Sequence, residues 1–211
     1  MIDEKLYESY LTFLLDGKRS KCHDIVQKLL DDKIAIKKLY TDLFQRSMYR
    51  VGELWENNRI TVANEHLATS ITESLLNLAY PSIFAMERIG RKVVISCAAN
   101  EFHQIGGKMV ADIFELNGWD GYFLGANSPL EETARFIHET RPDVVGFSLS
   151  TLSNLDYLKR GIQAIRSDFP NRDLLIGGQA FRWGGIGTIK QCAGTEYIRS
   201  LNDLEKMISE M

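Results

Sequence analysis

"KVVISCAANEFHQIGGKMVADIFELN", Lys92 to Asn117, decides the fold. It opens on KVVISCA, an apolar run of the kind carried by a strand buried on both faces. From Ile105 to Asn117 the spacing predicts a helix. The loop between them holds a histidine, a carboxylate two residues before it and a pair of glycines just after it. Strand, loop and helix make one β-α unit.

The same unit recurs toward the C-terminus. DGYFLGA (120–126), DVVGFSLS (143–150), DLLIGG (173–178) and TEYIRS (195–200) read as further strands. Helices are expected over Leu130 to Thr140, Leu155 to Phe169, up to about Ala193, and from Leu201. Five such units predict an α/β part with a flavodoxin-like, doubly wound, five-stranded parallel sheet covered by helices on both faces. Ligands of such sheets sit beyond the carboxyl ends of the strands. The loop with His103 lies at that edge.

The other half has a different grammar. Only Gly17 and Gly52 precede residue 90, and fourteen of the sixteen glycines lie at or after it. Helices need few glycines, whereas α/β turns and close backbone approaches need many. Helices are expected around Leu6 to Leu14, through Cys22, Ile25, Val26, Leu29 and Leu30, from Leu39 to Trp55, and from an N-cap at Thr61 through Leu78. Short connections make this an up-and-down four-helix bundle. The boundary falls in Met86 to Lys92, giving an all-α domain at 1–88 and an α/β domain at 89–211.

Bulk properties narrow the classes. No run of about 18 apolar residues exists, so no transmembrane helix is expected. The acidic, mixed start MIDEKLYESYL is unlike a signal peptide. Cys22, Cys97 and Cys192 offer neither a disulfide framework nor a metal knuckle, so a cytoplasmic setting is expected. A net charge of -3 argues against nucleic-acid binding. The remaining histidines, His23 and His138, lie in surface-helix patterns, and FRWGGIG (181–187) reads as a loop and helix start.

The loop chemistry is more specific. Glu101 and His103, two apart in extended chain, point the same way. The carboxylate then accepts the imidazole Nδ1–H, which fixes the tautomer and leaves Nε2 as the metal-binding nitrogen. No further ligands lie nearby, so a closed zinc site is not expected. A single protein ligand suits a metal already held by a macrocycle. The glycine pair alone is equally compatible with a phosphate-cradling helix start, although no GxGxxG or Walker lysine pattern is present.

ExHxxGG after the first strand, SLS at the end of the third and GGQ after the fourth resemble the cobalamin-binding domain of methionine synthase and corrinoid proteins. The resemblance implies that His103 is the lower axial ligand of cobalt, in the base-off/His-on mode, with Glu101 where that family has aspartate. Gly106, Ser148, Ser150, Gly177 and Gly178 match the small residues that line the slot for the displaced nucleotide tail. WENNRITVANEH, in turn, resembles the cap motif of the CarH/LitR light-sensing cobalamin proteins. It implies that Trp55 covers the upper axial group and that Val62, Glu65 and His66 line an adenosyl pocket. Two departures stand out. Glu56 occupies the position after the tryptophan where light sensors carry a histidine, and the chain begins almost directly with the cap, without their DNA-binding domain.

The expected function is therefore a stand-alone adenosylcobalamin-dependent sensor, with light as a candidate signal in the manner of those relatives, signalling to a separate protein partner and not itself an enzyme. The alternative is a corrinoid carrier shuttling a methyl group between methyltransferases, and a third reading is a flavodoxin-like nucleotide protein. Neither nucleic-acid nor membrane binding is expected, and homo-oligomer assembly stays open.

Overall fold

The computed structural model of the protein describes residues 2–190, 192 and 194–211. The chain divides into two compact units, Met1–Ile83 and Phe84–Met211.

The first unit is helical. Its elements are α1 (Glu4–Leu15), α2 (Arg19–Asp31), α3 (Ile36–Leu39), α4 (Arg46–Glu56) and α5 (Val62–Leu76), with α6 (Tyr80–Phe84) running on past its end. Between α3 and α4 the helix continues as a π-helical stretch, Tyr40–Gln45. The sequence pattern predicts one regular helix here. The wider π turn instead brings Tyr40, Leu43 and Phe44 all fully into the core. Asp3 caps α1 by accepting the Leu6 N–H at 2.8 Å. Thr61 caps α5 as expected, and Asn64 completes the reciprocal capping box.

The second unit alternates β1 (Lys92–Cys97), α7 (Ile105–Leu116), β2 (Asp120–Phe123), α8 (Leu130–Thr140), β3 (Val144–Ser148), α9 (Leu155–Asp168), β4 (Asp173–Gly177), α10 (Ile186–Lys190), β5 (Thr195–Tyr197) and α11 (Leu201–Glu210). All five strands are parallel, in the order β2-β1-β3-β4-β5. This is the flavodoxin-like order that the alternation predicts, with the chain reversing direction between β1 and β3. Val94, Val145, Leu174 and Ile176 from the strands meet Ile162 and Ile165 of α9 in the core beneath the sheet.

Two details differ from the sequence expectation. After β4 comes a 3-10 turn, Gln179–Arg182, and then an α10 of only five residues. Gly184 and Gly185 have φ of +146° and +80°, which no continuing right-handed helix allows. The expected helix end near Ala193 lies outside the described residues. The division between units also falls ahead of the Met86–Lys92 segment. Residues 87–91 are bound to the second unit: the Ile89 N–H donates to Gly118 O at 2.8 Å, Arg88 donates to Glu115 O and Trp119 O, and Arg91 O accepts from the Asp120 N–H.

Candidate functional site

The loops that follow β1 and β3 leave the sheet at the point where strand order reverses, and there the chemistry of the second unit converges. The β1–α7 loop is not extended. The Glu101 N–H returns to Ala98 O at 3.0 Å, and Asn100 turns the chain with φ +63°. Glu101 and His103 nevertheless meet, because one carboxylate oxygen closes a local ring. Glu101 Oε1 accepts the His103 backbone N–H at 3.0 Å and faces His103 Nδ1 at 2.6 Å. Its other oxygen, Oε2, accepts the N–H groups of Ser150 (2.9 Å) and Thr151 (2.8 Å) from the loop after β3.

Glu101 is completely buried. Burial by itself pushes its carboxyl up, but the His103 ring and the three backbone donors outweigh it and hold the group at about 2. Glu101 is therefore a carboxylate at neutral pH, and it demands a proton on Nδ1. The neutral imidazole then keeps its lone pair on Nε2. The His103 side chain is 56% exposed, so its ring is within reach of an external Lewis acid. A third group fixes the loop: the Cys97 thiol donates to His103 O at 3.6 Å. Burial, with the Glu101 charge adding to it, raises that thiol to about 12, so it stays neutral. Among the described residues no group of three or more His, Cys, Asp or Glu is placed to hold a bare metal ion. The donor set fits a metal that brings its own equatorial ligands and needs one axial nitrogen.

The small residues fall around this loop for separable reasons. A Cβ on Gly106 would meet Ser148 Oγ at 3.8 Å, an ordinary contact, so the space beside it stays open by choice of residue. Ser148 itself, at the end of β3, is buried. At Ser150 the contribution is the backbone N–H on Glu101. A Cβ on Gly177 would come within 3.2 Å of Ile198 O. Gly178 is demanded by the backbone: its φ is +117° and a Cβ there would collide with the Leu149 carbonyl. Sequence reasoning missed Gly107, where a Cβ would press to 2.9 Å on the Phe123 ring of β2. The doubled glycine was its signal. It also missed Thr151, which gives Glu101 a backbone N–H and places its hydroxyl 3.5 Å from His103 Nδ1.

In the first unit, Trp55, Val62, Glu65 and His66 sit on the α4–α5 hairpin. Trp55 is next to last in α4, and its carbonyl accepts the Asn58 N–H at 2.9 Å, with Asn58 at φ +55° turning the chain. Trp55 and Val62 are 46% and 51% exposed. The Glu65 side chain is largely covered and accepts a hydrogen bond from Thr69 Oγ1 at 2.9 Å. His66 is exposed, with Nε2 3.6 Å from Glu65 Oε2. Thr69, one turn beyond Glu65, was also missed, although its i+4 spacing pointed to it. His23 and His138 are exposed surface residues. No described helix is long and apolar enough to cross a membrane.

Comparisons with known proteins bear on both units. Two family models, each described as a B12 binding domain, match the chain, one over residues 91–189 and the other over residues 6–80. Among curated proteins it is similar to the HTH-type transcriptional repressor CarH of Myxococcus xanthus, 27% identical over 162 residues, covering 74% of this chain and 53% of that one. The repressor CarA of the same organism is 29% identical over 128 residues, 59% of this chain and 42% of CarA. The chain thus spans about half the length of these curated relatives. In fold it is similar to the Methanosarcina barkeri monomethylamine corrinoid protein, with a TM-score of 0.84 at 12% identity over the whole of both chains.

Proposed function

From the premise that this chain is a cobalamin-binding protein, a helical B12-binding domain followed by a Rossmann-like one, we propose that it is an adenosylcobalamin-dependent sensor that signals to a protein partner. His103 Nε2 is the lower axial ligand, oriented by Glu101, with the cofactor's own base displaced. Gly106, Ser148, Ser150, Gly177 and Gly178 border the path of the displaced nucleotide tail. When bound, the cofactor supplies a cobalt–carbon bond that light can break. The chain's part is to bind, to orient the imidazole and to present the upper-face residues.

The observation that carries the adenosyl reading is the α4–α5 hairpin. Trp55 and Val62 offer exposed apolar surface on the same hairpin as a Glu65 carboxylate that accepts a hydrogen bond from Thr69. An aromatic face covers a nucleoside well, and a carboxylate accepts hydrogen bonds from ribose hydroxyls. A methyl group needs neither. The similarity to CarH, a transcriptional repressor, supports a signalling role. One residue favours a second reading. Glu56 follows Trp55, and a carboxylate is a poorer axial partner for cobalt than imidazole. That favours a methyl carrier serving separate methyltransferases.

The experiment is binding in the dark with adenosyl-, methyl- and hydroxocobalamin, followed by absorption. The sensor reading expects tighter binding of the adenosyl form and loss of that preference in Trp55→Ala. Equal dissociation constants would establish the carrier reading in its place. His103→Ala is expected to lose the His-on spectrum, and an unchanged spectrum and affinity would remove His103 as the axial ligand.

A further inference from the structure

Three asparagines, from three different loops of the second unit, close on the backbone that carries Glu101 and His103. Asn100, the residue before Glu101, lies in the left-handed region at φ +63°, and Asn127, after β2, lies there at φ +49°. Each bonds the other's neighbourhood. The Asn100 N–H donates to Asn127 Oδ1 at 2.9 Å, and the Asn127 N–H donates to Glu101 O at 2.9 Å. Asn154, after β3, is buried and pairs with Asn100 from the other side. Its Nδ2 donates to Asn100 O at 2.9 Å, and Asn100 Nδ2 donates to Asn154 Oδ1 at 3.1 Å.

We propose that Asn127 and Asn154 are positioning residues for the axial histidine. Through Asn100 they clamp the β1–α7 loop to its two neighbouring loops and set the imidazole for metal ligation before the cofactor arrives. The inference rests on His103 being that ligand, and it goes beyond the Glu101 contact. Glu101 fixes the ring and ties its own side chain to the loop after β3, whereas the asparagines tie the backbone of the β1–α7 loop to the loops after β2 and β3. The residue type follows from the task. Asparagine tolerates the left-handed conformation and offers both a donor and an acceptor in one short side chain. A non-glycine residue there is strained without partners, so removing the partners lets the turn relax. The competent loop population then falls, and apparent affinity falls in proportion.

The test uses the full chain with Asn127→Ala, Asn154→Ala and the conservative Asn127→Asp. Asn127 is exposed, so its side chain takes no part in the core. Asn127→Asp keeps the oxygen that accepts the Asn100 N–H. In the apo-protein, amide hydrogen exchange at His103, Ser150 and Thr151 is expected to speed up by about 10-fold or more in the alanine variants. The amides of β1 should stay at their original rates, which marks the change as local. With cobalamin reduced to the cobalt(II) state and the protein labelled with nitrogen-15 histidine, the doublet splitting in the EPR spectrum reports the His-on fraction, because the cofactor's own unlabelled base gives a triplet. That fraction is expected to drop in both alanine variants, with affinity about 10-fold weaker, and to be retained in Asn127→Asp. Alanine variants that match the unaltered protein in exchange and His-on fraction overturn the clamp. Faster exchange with an unchanged His-on fraction overturns the positioning role. An unaltered, labelled protein that shows no nitrogen-15 doublet defeats the ligand assignment itself, a result distinct from either.

Discussion

Replacing Glu101 by glutamine removes one charge and almost no volume, yet the structure makes it a severe change. The two carboxylate oxygens accept four donors: Oε1 takes the His103 N–H and Nδ1, and Oε2 takes the Ser150 and Thr151 N–H groups. An amide has only one acceptor oxygen. If that oxygen faces His103, the NH2 group confronts two backbone N–H donors. If it faces Ser150 and Thr151, the NH2 group drives His103 into the opposite tautomer and puts a proton on Nε2. Two charge-assisted bonds are lost either way, at a site with no access to water. At about 1.5–3 kcal/mol each, the cost is about 3–6 kcal/mol, a large part of a domain's stability.

The pH dependence carries a sign. Glu101 is held at about 2 in the folded protein, below its ordinary carboxylate value, so the stability it contributes is present above the unfolded value and fades as pH falls toward 2. The gap between unaltered protein and Glu101→Gln should therefore be full at pH 7 and should shrink progressively below about pH 4.3. The assay is urea unfolding of the apo-proteins by far-ultraviolet circular dichroism at a series of pH values. A difference under about 0.5 kcal/mol at pH 7, or one that does not change with acid, would refute the hydrogen-bond accounting.

Gly178→Ala should cost at least about 2 kcal/mol, because φ is +117° and the added Cβ meets the Leu149 carbonyl; a urea midpoint close to the unaltered one would contradict that contact. Thr61→Ala should cost about 1 kcal/mol in the first unit through loss of the capping box, read by urea titration of the helical signal. Illumination of the adenosyl complex should give a product whose upper ligand exchanges readily with added cyanide, since Glu56 stands where a histidine would lock it. An inert bis-imidazole product that persists in His66→Ala would show that reading of Glu56 to be mistaken.

The alternation of apolar runs with helical spacing, and the glycines crowded after residue 90, determined the parallel sheet and its helical partner, because periodicity and backbone freedom are local properties of residue type. The pairing of Glu101 with His103 was equally legible, being two residues apart, although the chain that leads into Glu101 is a turn closed on Ala98 O rather than an extended segment. Thr61 announced its cap in the same way. What tertiary structure alone decided involves groups that residue type does not encode. The N–H donors of Ser150 and Thr151 belong to any residue, and only the adjacency of β1 and β3 aims them at Glu101. The Asn100–Asn154 pair spans 54 positions and exists because two strand ends lie side by side. Gly178 looked like a residue kept small for a ligand, and the close passage of the Leu149 backbone supplies a reason that no spacing rule contains.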